Sequence, residues 1–137
     1  MADRLLLDTC AFIWLSKSER LSAEAAIAVK RAGDEGALCL SVMTSWELGM
    51  LVSKGRFRLA KPPLRWFDDF AGAMSATVHP ASSAILVASS FLPGPIHPDP
   101  IDRILITTAR AHDLVLVTRD RAILAYGAAG HVRTLAC

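Results

Sequence analysis

The chain has 137 residues, 53% hydrophobic and 20% charged, with a formal net charge of +2. That length suits one domain spanning residues 1–137 with a sizeable core, and the apolar fraction excludes a disordered chain. A charge of +2 is too mild to argue nucleic-acid binding by itself.

The opening "MADRLLLDT" holds an apolar run of only three leucines, too short for a secretory leader. No later stretch approaches a membrane span in length. The expectation is a cytoplasmic protein. "RLLLD" (4–8) reads as a short buried strand ended by a polar residue. "AFIWLSKS" suits a helical turn or two. "SAEAAIAVKRAGDEG" is an alanine-rich helix, with Ser22 as N-cap and Gly33 or Gly36 near its stop. "ALCLS" is a second buried strand. "VMTSWELGMLVSKG" is a helix whose Trp46, Met50 and Leu51 share a stripe, expected to face the core, and Gly55 ends it. "RFRLAKPP" is a connector, and Pro63 suits the first turn of the helix "LRWFDDFAGAMS". "ATVHP" is a third strand. "ASSAILVASSFL" is an uncharged helix, expected to be well buried. "PGPIHPDP" is a loop. "IDRILITTARAHD" is a helix, "LVLVT" a strand, "RAILAYG" a short helix and "HVRTL" a last edge strand.

Short all-apolar strands alternating with helices imply the α/β class, with a parallel sheet covered on both faces. Ligands then gather beyond the carboxyl ends of the strands. Asp8 closes the first strand, Asp120 lies just past "LVLV", and Asp102 falls in the first turn of a helix. Glu47 sits mid-helix between Trp46 and Leu48, where a helix facing that rim would project it inward. Each acid also has an ordinary alternative. Asp8 and Asp120 would serve as helix caps, Asp102 would complement a helix dipole, and Glu47 would lie on a solvated face. Pro100 opens its helix, which makes Asp99 the N-cap and places Asp102 at the third helical position.

Converging carboxylates need an offset. Two unit charges about 4 Å apart repel by roughly 4 kcal/mol at an effective dielectric near 20. Raised pKa values or a divalent cation would supply it, and oxygen ligands suit Mg2+ or Mn2+. Cys10, Cys39 and Cys137 are few, odd in number and far apart, which implies reduced thiols and no metal or disulfide pattern. His79, His97, His112 and His131 show no ligand spacing and are read as ordinary.

The segments "LLLDTCAFIW", "SVMTSWELGMLVSKGR" and "HPDPIDRILITTARAHDLVLVTRDRAI" resemble the PIN-domain ribonucleases, specifically VapC-type toxins of bacterial toxin–antitoxin pairs. The resemblance implies a three-layer α/β/α fold with a short, mostly parallel central sheet. It implies an acidic pocket of Asp8, Glu47, Asp102 and Asp120, binding one or two Mg2+ or Mn2+ ions and cleaving RNA phosphodiesters. Thr9 and Thr118 then orient a carboxylate or a bound water, with Asp99 in support. A VapB-like antitoxin and a homodimer are the implied partners, with no membrane.

Between Glu47 and Asp68 no acid intervenes, whereas Lys54, Arg56, Arg58, Lys61 and Arg65 are interleaved with Phe57 and Trp66. This suits a phosphate-tracking surface as well as a solvated helix end. Arg103 and Arg119 flank the acids and are further candidates for RNA phosphates. Phe12, Trp14, Trp46, Met50 and Leu51 are candidates for an antitoxin surface, with a core role favoured for each. Two other activities compete. A non-catalytic RNA-binding module would keep the fold without cleaving. An aspartyl-phosphate phosphotransferase would use Asp8 as nucleophile, but Cys10 stands where such enzymes carry a second aspartate. Thiol catalysis by Cys10 lacks a histidine base at a motif position.

Overall fold

The structure, a computed structural model, describes residues 3–56, 58–95 and 97–137. Its strands are the short apolar runs: β1 (Leu5–Leu7), β2 (Leu38–Ser41), β3 (Thr77–His79), β4 (Val115–Thr118) and β5 (Arg133–Ala136). All four pairings are parallel, and the sheet order is β3-β2-β1-β4-β5. β1, β2 and β4 are buried along their whole length, as strands covered on both faces must be.

The two-residue period of the strands sorts the core into two clusters. Leu5, Leu7, Leu38, Leu40, Val115 and Val117 meet Phe12 of α1 (Thr9–Ser16), Val29 of α2 (Ala23–Asp34), Leu48 of α3 (Val42–Ser53) and Phe67 of α4 (Pro63–Ala73). Leu6, Cys39 and Leu116 face the other way, against Leu105 and Ile106 of α6 (Pro100–His112) and Ile123 and Tyr126 of α7 (Arg121–Ala128). The result is the expected three-layer α/β/α fold. Helix ends follow the sequence signals. Ser22 caps α2 by accepting from the Ala25 N–H, and Gly36 and Gly55, both at φ +68, follow the ends of α2 and α3.

Two expectations need correction. The segment 81–92 forms only a six-residue helix, α5 (Ser83–Ala88), and it is not well buried. Ile85, Ser89 and Leu92 face inward at helical spacing, whereas Leu86, Val87 and Phe91 are 43%, 63% and 79% exposed. The cause is position: α5 follows the edge strand β3 and packs against α6, leaving its other side open. In α3 the buried positions are Thr44 and Leu48, one turn apart. Trp46, expected in the core, is 56% exposed, and Met50 and Leu51 are half-buried. Phe12 is core as expected, 5.5 Å from the Phe67 ring and 5.1 Å from Phe70. Among the described residues no helix is long and apolar enough to cross a membrane.

Candidate active site

The sheet order reverses between β1 and β4: β2 and β3 extend to one side of β1, β4 and β5 to the other. Beyond the carboxyl ends of these neighbours lies the crevice where parallel α/β sheets bind ligands. Asp8 leaves β1 there. It is buried, and both of its oxygens are held: Oδ1 accepts from the Ala11 N–H at 2.7 Å, capping α1, and Oδ2 accepts from the Thr118 hydroxyl at 2.5 Å. Thr118, at the end of β4, also accepts from the Asp120 N–H at 3.0 Å, so one hydroxyl ties the two strand ends together. Asp120 Oδ1 caps α7 through the Ile123 N–H at 2.9 Å.

The other acids arrive on helices. Asp99 caps α6, its Oδ1 accepting from the N–H groups of Ile101 and Asp102 at 2.8 and 3.0 Å. Asp102 follows in the first turn. Glu47 projects from α3 with the Thr9 hydroxyl near enough to favour its charged form. The Thr9 hydroxyl lies 3.4 Å from that of Thr44. The ordinary capping roles and the shared rim are therefore not alternatives: Asp8 and Asp120 do both.

The electrostatics show how close these groups are. Burial pushes Asp102 up to about 7, reinforced by the charges of Asp99, Asp120, Glu47 and Asp8. Burial also raises Asp8, against the pull of the Thr118 and Ala11 hydrogen bonds, with Asp120 adding to the rise. Glu47 is raised by burial, then by Asp99 and Asp8. Among the described residues no lysine or arginine forms an ion pair with any of the five acids.

His97, read from the sequence as ordinary, is a member of this site. Its Nε2 lies 3.4 Å from Asp102 Oδ2 and 3.3 Å from Asp120 Oδ1. No ligand spacing betrays it, because Asp120 comes 23 residues later. The available signal was its place in "HPDPIDR", beside two acids of the rim. A ligand atom from each of His97, Asp102 and Asp120 lies within 4.8 Å of the others. Carboxylate oxygens in this number, short of cations, fit a hard divalent ion.

Cys10 opens to solvent beside Asp8, but its thiol is pushed up to about 12 by desolvation, then by the charges of Asp8, Glu47 and Asp102. A thiol held protonated in this way is no nucleophile.

The basic residues divide. Lys54, Arg56 and Arg58 are exposed and form no ion pair among the described residues. Lys61 and Arg65 pair with Asp69. Phe57 lies outside the described residues. Trp66 donates to the Ser16 hydroxyl at 2.9 Å and packs on the core rather than standing free to stack. Arg103 donates to the carbonyls of His97 and Pro98. Arg119 lies 3.8 Å over the Trp14 ring and donates to the Arg20 carbonyl. These two guanidinium groups brace the fold around the rim.

A three-layer α/β/α domain with a carboxylate rim at the sheet's switch point is the class this architecture defines. The PIN domain family matches residues 5–128. Ribonuclease VapC22 of Mycobacterium tuberculosis is 34% identical over 123 residues, covering 87% of this chain and 88% of that protein. Two solved structures share the fold. A chain of VapBC2 from Rickettsia felis, bound to a DNA fragment from its promoter, gives a TM-score of 0.69 at 15% identity, covering 96% of this chain and 97% of that one. A chain of DNA-bound VapBC from Salmonella typhimurium gives 0.64 at 18% identity, covering 97% of each. The chain belongs to the PIN-domain family.

Proposed function

We propose that this chain, as one domain over residues 1–137, is a VapC-type ribonuclease toxin that cleaves RNA phosphodiesters and is neutralised by a VapB-like antitoxin. The observation that carries it is the convergence of Asp8, Glu47, Asp102 and Asp120 on one rim, where among the described residues none of them forms an ion pair with lysine or arginine. These four would hold Mg2+ or Mn2+, which when bound offsets charge on the scissile phosphate and activates water. Thr118 fixes Asp8 and the Asp120 backbone, Thr9 lies beside Glu47 and favours its charged form, and Asp99 sets the first turn that presents Asp102.

Lys54 follows Glu47 by seven residues on and just past α3, about 10 Å along the helix axis. With Arg56 and Arg58 it would take RNA phosphates leading away from the rim. The exposed Trp46, with Met50 and Leu51, offers the antitoxin an apolar surface beside the acids. The uncharged α5 face suits the homodimer. RNA as substrate implies a cytoplasmic location.

Induced expression in bacteria tests this reading. Wild type is expected to arrest growth, whereas Asp8→Asn and Asp102→Asn, at equal soluble levels, are expected not to. Arrest by both variants would overturn it.

A further inference from the structure

We infer that His97 is a positioning residue: it clasps the Asp102 and Asp120 carboxylates in register for a divalent cation without ligating the cation itself. The inference rests on the cation-binding role of the rim and adds an outer layer to it.

The imidazole is fixed by its own loop. Its Nδ1 accepts the Asp99 backbone N–H at 3.0 Å. Arg103 donates to the His97 and Pro98 carbonyls at 3.0 and 3.3 Å. Pro98 and Pro100 stiffen the same stretch. The His97 side chain is only 10% exposed.

These contacts decide the tautomer. A ring nitrogen that accepts a hydrogen bond offers its lone pair, so the neutral ring carries its proton on Nε2. That N–H faces Asp102 Oδ2 at 3.4 Å and Asp120 Oδ1 at 3.3 Å, a long donation shared by two carboxylates. A protonated Nε2 has no lone pair for a metal. Moving the proton to Nδ1 would set two N–H groups, those of His97 and Asp99, against each other.

The oxygens divide accordingly. Asp120 Oδ1 is held by His97 and the Ile123 N–H, and Asp102 Oδ2 by His97. Among the described residues no hydrogen bond engages Asp120 Oδ2 or Asp102 Oδ1. Each carboxylate is thus gripped by one oxygen and offers the other. Without the imidazole the two would face each other with repulsion alone, near the further charges of Asp99, Glu47 and Asp8. Partners that orient metal-binding side chains from outside typically carry 10–100-fold in metal affinity.

The test uses the full chain freed of any antitoxin. Mn2+ affinity is measured by calorimetry for wild type, His97→Ala and His97→Gln. The ring tautomer is read from 15N resonances with and without saturating Mg2+. Expected is a loss of roughly 10–100-fold for His97→Ala. His97→Gln, whose amide N–H reaches a similar place, is expected to recover most of it. The Nε2 proton is expected to persist with Mg2+ bound. Equal affinity for wild type and His97→Ala overturns the inference, as does loss of the Nε2 proton on Mg2+ binding. Where His97→Ala does not fold, His97→Gln and the resonances decide, a glutamine variant as weak as a carboxylate deletion counting against the clasp. Wild type that binds no Mn2+ would instead defeat the cation-binding rim, and that result is read before any variant is compared.

Discussion

At Asp102 the fold works against its own charge. The carboxyl is pushed from an ordinary 3.8 to about 7 by burial and by Asp99, Asp120, Glu47 and Asp8. Between those limits the folded, metal-free chain holds a proton that the unfolded chain has released. This group therefore favours folding most below pH 4, and its contribution falls as pH rises to 7, by up to roughly 1.4 kcal/mol per pH unit. Asp8 and Glu47 act in the same direction. Asp102→Asn is expected to flatten that slope and to make the metal-free protein more stable than wild type at pH 8, measured by urea unfolding in EDTA at pH 5 and 8. Identical slopes would show that Asp102 titrates normally. Asp8 and Asp120 were legible in the sequence because they end apolar runs. Glu47 was legible only as an acid among apolar neighbours. His97 was not, because its partners meet it through the fold.

At the scale of elements, capping and site-building are one operation. β1, the loop before α6, and β4 each end in an aspartate that caps the next helix: Asp8, Asp99 and Asp120. The helix start fixes the acid's backbone, so the carboxylates need no separate scaffold. Asp99 differs from its neighbours in that its side chain accepts only the capping hydrogen bonds, reaching Asp102 and Glu47 through its charge alone. Asp99→Asn preserves the cap and is expected to leave stability and RNA cleavage near wild type. Asp99→Ala is expected to cost about 1 kcal/mol, read from urea unfolding. Cleavage abolished by Asp99→Asn would add Asp99 to the proposed cation-holding acids. Strand-end acids and glycine stops made most helices readable. α5 was misread because an apolar-all-round sequence does not say which side is covered, and α5 packs on α6 with its other side open. Trp46 was misread for a related reason: its helix meets the core through Thr44 and Leu48.

At the scale of the molecule, alternation of short strands and helices foretold a parallel sheet but not its order. That order builds the rim, since β1 beside β4 is what brings Asp8 to Asp120 across 112 positions of chain. Thr118 then joins the two strand ends, and α3 and α6 close the rim with Glu47 and Asp102. The measurement that bears most directly on this picture is cleavage of a structured RNA by the purified, antitoxin-free chain with Mn2+ or Mg2+. EDTA and Asp102→Asn serve as the two controls. Cleavage with either ion, lost in both controls, is expected from a carboxylate-held metal nuclease. Cleavage that survives EDTA or Asp102→Asn would contradict it.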